Sequence, residues 1–165
     1  MSPNIILIGF MGSGKSSAGN ALSKLSGYAF VDSDTLIETQ EGLKISELFV
    51  QKGEPYFRAC EHHVCETLSN YHNTIIATGG GLPCQPENQE LLKKSGFIVY
   101  LKASQESINT RLKNDTSRPL LAQPDLLAKR APIYHLLADL EIDTQDQSIQ
   151  SVAEAIWNTY TTHYA

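Results

Sequence analysis

The segment Gly9-Phe10-Met11-Gly12-Ser13-Gly14-Lys15-Ser16 meets the phosphate-binding pattern G-x-x-x-x-G-K-[ST] at every fixed position. No other stretch constrains the fold as strongly, because the pattern works only where a strand runs through a glycine loop into a helix. Both flanks are present. Asn4-Ile5-Ile6-Leu7-Ile8 is a short apolar run of the kind buried on both faces of a parallel sheet. Ala18, Ala21, Leu22 and Leu25 recur at helical spacing, and Gly27 stands where a C-cap glycine is expected. In such a loop the glycines let the backbone turn tightly and approach a phosphate. Successive N–H groups form an anion nest closed by the helix N-terminus. Lys15 can reach the outer phosphates, and the Ser16 hydroxyl can join the shell of a Mg²⁺ ion. The motif therefore implies a nucleoside triphosphate with magnesium, and leaves open what is done with it.

The rest of the chain repeats the alternation. Ala29-Phe30-Val31 leads into Asp32, and Thr74-Ile75-Ile76-Ala77 leads into three glycines. Phe97-Ile98-Val99-Tyr100-Leu101 follows a predicted helix over 86–94, and Leu140-Glu141-Ile142-Asp143 precedes a last helix over 148–160. Strands separated by helices predict an α/β domain with a parallel sheet. A chain of 165 residues, 41% hydrophobic and 19% charged, fits one such domain spanning 1–165. A net charge of −5 argues against a nucleic-acid partner bound through a basic face. No apolar run approaches the roughly 20 residues of a membrane span, and the first strand begins at once, so neither membrane nor leader peptide is expected. The three cysteines, Cys60, Cys65 and Cys84, show no disulfide framework and suit a reducing cytoplasm. In Cys60-Glu61-His62-His63-Val64-Cys65 the two thiols project from different sides of a predicted helix, so buried thiols and surface histidines are expected rather than a metal site.

Several residues near strand ends carry chemistry. Asp32 and Asp34 follow the second strand and share a direction if the strand geometry persists. One carboxylate could hold Mg²⁺ and the other accept a proton from an attacking hydroxyl. Alternatively, Asp34 caps a helix starting near Thr35. Gly79-Gly80-Gly81 exceeds what a turn requires and reads as a ligand surface. Arg58, with Glu61 three residues on to orient it, Arg118 in a polar loop, and Arg130, near a helix boundary before Pro132, are either solvated surface charges or forks for a carboxylate or phosphate.

Taken in order, Gly9 to Ser16, Asp32-Ser33-Asp34, Gly53-Glu54 with Tyr56-Phe57-Arg58, Gly79-Gly80-Gly81, Arg118-Pro119-Leu120-Leu121, Arg130 with Pro132 and Tyr134, Ala138-Asp139 and Ile142-Asp143-Thr144 resemble the shikimate kinase family over nearly the whole chain. The resemblance implies transfer of the ATP γ-phosphate to the 3-hydroxyl of shikimate, in the route to aromatic amino acids. It implies a three-layer α/β/α fold around a five-stranded parallel sheet of order 2-3-1-4-5, with a lid at about 112–124. Gly12, Ser13, Gly14, Lys15, Ser16 and Ser17 would cradle the ATP phosphates, and Ser16 with Asp32 would hold Mg²⁺. Lys15, Asp34 and Arg118 would be catalytic, with Asp34 also binding the shikimate hydroxyls and Arg118 closing over the phosphates. Arg58 and Arg130 would clamp the shikimate carboxylate beside Gly79, Gly80 and Gly81, while Arg111 and Gln147 would flank the adenine. A monomer suffices for all of these roles.

Two departures stand out. The segment from Arg118 to Arg130 is shorter than the family pattern by about one to two helical turns, which predicts a short helix after the lid. Thr144-Gln145-Asp146-Gln147-Ser148 lacks the basic residue common there. Two other readings share the phosphate loop. A gluconate or nucleoside monophosphate kinase would differ only in its acceptor. A GTPase-type switch needs an Asn-Lys-x-Asp element, which the chain lacks.

Overall fold

The computed structural model describes residues 2–104, 106–108 and 125–165. Every residue of strand β1 (Asn4–Ile8) is buried, as a central strand covered on both faces requires. It is followed by α1 (Lys15–Ser26), β2 (Ala29–Asp32), α2 (Ser33–Glu41), α3 (Ile45–Lys52), α4 (Glu54–Leu68) and β3 (Thr74–Ala77). A 3-10 turn (Leu82–Cys84), α5 (Pro86–Ser95), β4 (Gly96–Lys102), α6 (Leu126–Leu137), β5 (Leu140–Asp143) and α7 (Ile149–His163) complete the described elements. The strands form one sheet of order β2-β3-β1-β4-β5, and all four pairings are parallel.

The period-two alternation of the strands sorts the core into two layers. Ile5, Leu7, Phe97 and Val99 pack with Ala18 and Leu22 of α1 and Val152, Ala153 and Ile156 of α7. Ile6, Ile8, Ile76 and Ile98 pack with Ile37, Leu48, Val64, Leu92 and Tyr134 from α2 to α6. This is the expected three-layer α/β/α arrangement. Because the strands run the same way, the loops after β1, β2 and β3 meet on one rim of the sheet, where open α/β sheets bind ligands.

Four details differ from the sequence expectations. Helix α2 starts at Ser33 rather than Thr35, and its N-cap is Asp32, whose Oδ1 accepts from the Asp34 and Thr35 amides at 2.9 and 3.3 Å. Strand geometry therefore ends at Asp32, and Asp34 lies in the first helical turn without serving as the cap. Arg130 sits inside α6, not at its boundary, because the helix continues through Pro132. The proline removes one backbone hydrogen bond, and burial of Tyr134 and Leu137 on the same face offsets it. The helix expected to be short is α6, and its 12 residues are an average length. Helix α7 is capped by Ser148 and runs three residues beyond the expected end, to His163. The predicted lid at about 112–124, with Arg118, and the adenine-flanking Arg111 lie outside the described residues. No described helix is long and apolar enough to cross a membrane.

Candidate active site

The phosphate loop takes the form its glycines permit. Gly12 and Gly14 have φ values of 81° and 93°, in the left-handed region that side-chain-bearing residues rarely adopt. Gly14 is the N-cap of α1 and supplies no side chain to occupy the first amides of the helix, and no acidic residue stands in its first turn. The positive end of the helix dipole thus faces the loop with no cap from its own side chains, a ready anion site. Lys15 Nζ donates to the carbonyls of Gly9 at 2.7 Å and Phe10 at 2.9 Å, folding the side chain over its own loop.

A cavity of about 560 Å³ opens beside this loop, lined by Gly12, Lys15, Ser16, Asp32, Asp34 and Gly80 among others. At its floor the Ser16 hydroxyl donates to Asp32 Oδ2 at 2.8 Å. The two carboxylate oxygens of Asp32 therefore have separate tasks, one capping α2 and the other facing Ser16. A second cavity, of about 210 Å³, shares Gly14 and Ser17 with the first and extends along Ser13, Leu101, Thr144, Gln147 and Val152. It is more apolar, and the buried Ser13 Oγ beside it makes no hydrogen bond among the described residues. Gln147 donates to the Asp143 carbonyl at 2.7 Å, and this holds the loop after β5 against that cavity.

The triple glycine brings the remaining groups together. A Cβ on Gly79 would lie 2.5 Å from Asp34 Oδ1, and one on Gly80 would lie 3.0 Å from Arg130 Nη1. A Cβ on Gly81 would overlap Arg58 Nη1 and lie 3.0 Å from Arg130 Nη2. Glycine is needed here because a carboxylate and two guanidinium groups press against the turn, and no side chain could fit between them. Asp34, Arg58 and Arg130, far apart in sequence, thus converge on one short segment.

The two arginines differ electrostatically. Arg58 reaches Glu61 Oε1 at 2.6 Å and Glu54 Oε1 at 3.2 Å, and both carboxylates help keep it charged against the opposing effect of burial. Burial pushes the Glu61 carboxyl up to about 7, against the pull of Arg58. Arg130 is only 6% exposed, lies over the Phe10 ring at 5.9 Å, and its Nη1 makes no hydrogen bond among the described residues. A buried guanidinium nitrogen without a partner is costly, and a bidentate carboxylate would satisfy it.

Two residues that stand in the quoted motifs have contacts that the sequence does not reveal. Ser33 Oγ accepts from the Gly79 amide at 2.8 Å, and the Tyr134 hydroxyl donates to the Gly80 carbonyl at 2.5 Å. Both act on backbone across 46 and 54 residues, and no local pattern marks such pairings. Of the two thiols expected to be buried, Cys65 is, and burial pushes it up to about 12, whereas Cys60 is only partly buried. The imidazole of His62, expected at the surface, is half-buried and pairs with Asn88 at 2.8 Å.

The shikimate kinase family model matches residues 11–161. The chain belongs to the shikimate kinase family. A shikimate kinase from Sulfurihydrogenibium sp. is 42% identical over 158 residues, covering 93% of this chain and 95% of the relative. The solved shikimate kinase from Acinetobacter baumannii, in complex with shikimate, superposes with a TM-score of 0.94 at 35% identity, covering 99% of this chain and 95% of that one. A gluconokinase from Sinorhizobium meliloti, 17% identical with a TM-score of 0.57 over 98% of this chain and 95% of its own, shares the fold alone.

Proposed function

We propose that the chain transfers the γ-phosphate of ATP to the 3-hydroxyl of shikimate. The observation that carries this reading is the convergence of Asp34, Arg58 and Arg130 on Gly79-Gly80-Gly81 beside the phosphate-loop cavity. The acceptor has one carboxylate and several hydroxyls. Arg130 offers an unpartnered buried nitrogen to the carboxylate, Arg58 adds a second fork held in place by Glu61, and Asp34 faces the hydroxyls.

Residues Gly12 to Ser17 cradle the phosphates, and Lys15 leaves the Gly9 and Phe10 carbonyls to reach the outer ones. Ser16 Oγ and Asp32 Oδ2, 2.8 Å apart, are hard oxygen donors of the kind magnesium takes. When bound there, the ion supplies neutralisation of the phosphate charge. The adenosine end runs along the smaller cavity past Gln147. Arg111 flanks the adenine and Arg118 closes over the phosphates, as the family resemblance implies. Asp34 aligns the acceptor hydroxyl for in-line attack, and a loose transition state asks little more of the protein than positioning and charge. A monomer in the cytoplasm completes the reading, the compartment resting on three free cysteines with no disulfide framework.

The test is ADP release by purified protein with Mg·ATP, alone and with shikimate, gluconate or nucleoside monophosphates. Stimulation by shikimate alone is expected. Stimulation by another acceptor overturns the substrate and keeps the kinase. No stimulation by any acceptor, with ATP still bound, overturns the reading.

A further inference from the structure

Three consecutive glycines have no side chains with which to hold a shape, yet this turn is pinned at four points. The Gly79 amide donates to Ser33 Oγ at 2.8 Å. The Gly79 carbonyl accepts from Leu82 at 3.2 Å, and the Gly81 carbonyl accepts from Cys84 at 3.1 Å, both local contacts. The fourth point, on the Gly80 carbonyl, is the 2.5 Å hydrogen bond from the Tyr134 hydroxyl of α6, beside a longer contact of 3.8 Å from the Cys84 thiol. In a planar trans peptide the carbonyl and the following N–H point in opposite directions. Holding the Gly80 carbonyl toward α6 therefore turns the Gly81 amide away from that helix. Among the described residues neither the Gly80 nor the Gly81 amide makes a hydrogen bond, so both remain as donors.

Tyr134 is well suited to this task. It is completely buried, and its ring packs against Tyr100 with centroids 5.2 Å apart. Burial pushes its hydroxyl well above the ordinary tyrosine value, so the proton is retained as a donor at any working pH. Arg130 lies one helical turn earlier on the same buried face of α6. A Cβ on Gly80 would meet both groups, Arg130 Nη1 at 3.0 Å and Tyr134 Oη at 3.6 Å.

We propose that Tyr134 is a positioning residue for the acceptor, and that its hydroxyl holds the Gly80–Gly81 peptide so that the glycine amides and the Arg130 guanidinium face one ligand together. This rests on the acceptor reading given above. One helix then supplies both the charge that binds the acceptor and the pin that shapes its backbone cradle. The role goes beyond packing, since a phenylalanine would fill the same space and lose only the hydroxyl's contacts, the pin on Gly80 together with those to Arg130 and Cys84, and the glycine resonances report the pin itself.

The experiment compares Tyr134→Phe with Tyr100→Phe, which removes a hydroxyl from the neighbouring buried ring. Shikimate KM and kcat, the Kd for ATP and the Tm are measured for each, together with amide NMR spectra of ligand-free protein. Tyr134→Phe is expected to raise the shikimate KM about 10-fold, with kcat and ATP affinity within about twofold, and to shift the Gly80 and Gly81 amide resonances. Tyr100→Phe is expected to leave all of these near wild type. The proposal is overturned by an unchanged KM, by equal weakening of shikimate and ATP, by the same KM rise in Tyr100→Phe, or by unmoved Gly80 and Gly81 resonances. Wild-type protein with no shikimate-dependent turnover instead refutes the acceptor reading, and the NMR comparison still decides whether Tyr134 holds the peptide.

Discussion

Gly81→Ala isolates the arginine clamp without touching an arginine. The Gly81 backbone has φ −88° and ψ −15°, which alanine adopts freely, so backbone strain plays no part. The added methyl would overlap Arg58 Nη1 and come within 2.9 Å of Arg58 Cζ and 3.0 Å of Arg130 Nη2. Ordinary carbon contacts lie near 3.5–4.0 Å, so the Arg58 guanidinium must retreat by on the order of 1 Å. An exposed arginine would do this at little cost. Arg58 is held at 2.6 Å by Glu61, which is only 1% exposed and cannot follow because α4 fixes it. The displaced guanidinium is then withdrawn from the acceptor carboxylate, and losing one hydrogen bond to a charged group costs about 1.5–3 kcal/mol, a shikimate KM about 10- to 150-fold higher. The phosphate loop is untouched, so ATP affinity should stay within about twofold. Steady-state ADP release over a shikimate titration, with ATP affinity measured separately by calorimetry, reads both quantities. A shikimate KM within twofold of wild type would mean that the arginines do not meet the acceptor at Gly81, and would refute the convergence argument.

Three further outcomes follow from the same geometry. Asp34→Asn keeps the shape beside Gly79 and removes the charge, so turnover should fall at least about 100-fold with ATP affinity unchanged. Single-turnover kinetics check this, and near-normal turnover would remove Asp34 from the reaction. Asp32→Ala loses both the α2 cap and the Ser16 partner. It should cost about 1 kcal/mol, or a Tm lower by about 2–4 °C, and raise the magnesium concentration needed for half-maximal rate. A melt with no change in Tm, or an unchanged magnesium titration, would separate the two roles. Glu61, raised from 4.5 to about 7, binds a proton in the folded state that the unfolded state releases. Its contribution to stability is therefore complete below about pH 4.5 and lost as pH rises through about 7, a change of about 3 kcal/mol. Glu61→Gln should flatten that decline between pH 5 and 8 in denaturant melts, and an identical slope in both proteins would contradict the assignment.

What the sequence made legible was what is local. The phosphate loop is read from eight contiguous residues because each fixed position answers to the backbone beside it. The Arg58–Glu61 pair is likewise readable, since residues three apart meet on a helix. Asp32 and Asp34 were harder. Strand alternation and helix capping predict different geometries for the same three residues, and the start of α2 at Ser33 decides between them. Arg130 looked like a boundary residue because proline usually ends a helix. The burial of Tyr134 and Leu137, invisible without the tertiary packing, carries α6 through. Ser33 and Tyr134 could not be found at all by spacing, because their partners are peptide groups of the glycine turn and any glycine offers the same ones.

The most direct measurement is the structure of the product. Purified protein is incubated with shikimate and Mg·ATP, and phosphorus–proton correlation NMR assigns the phosphorylated position. The account predicts a single phosphate ester, coupled to the proton on carbon 3 and formed in step with ADP. An ester on another hydroxyl would contradict the placement of Asp34, and inorganic phosphate with no ester would contradict the acceptor site altogether.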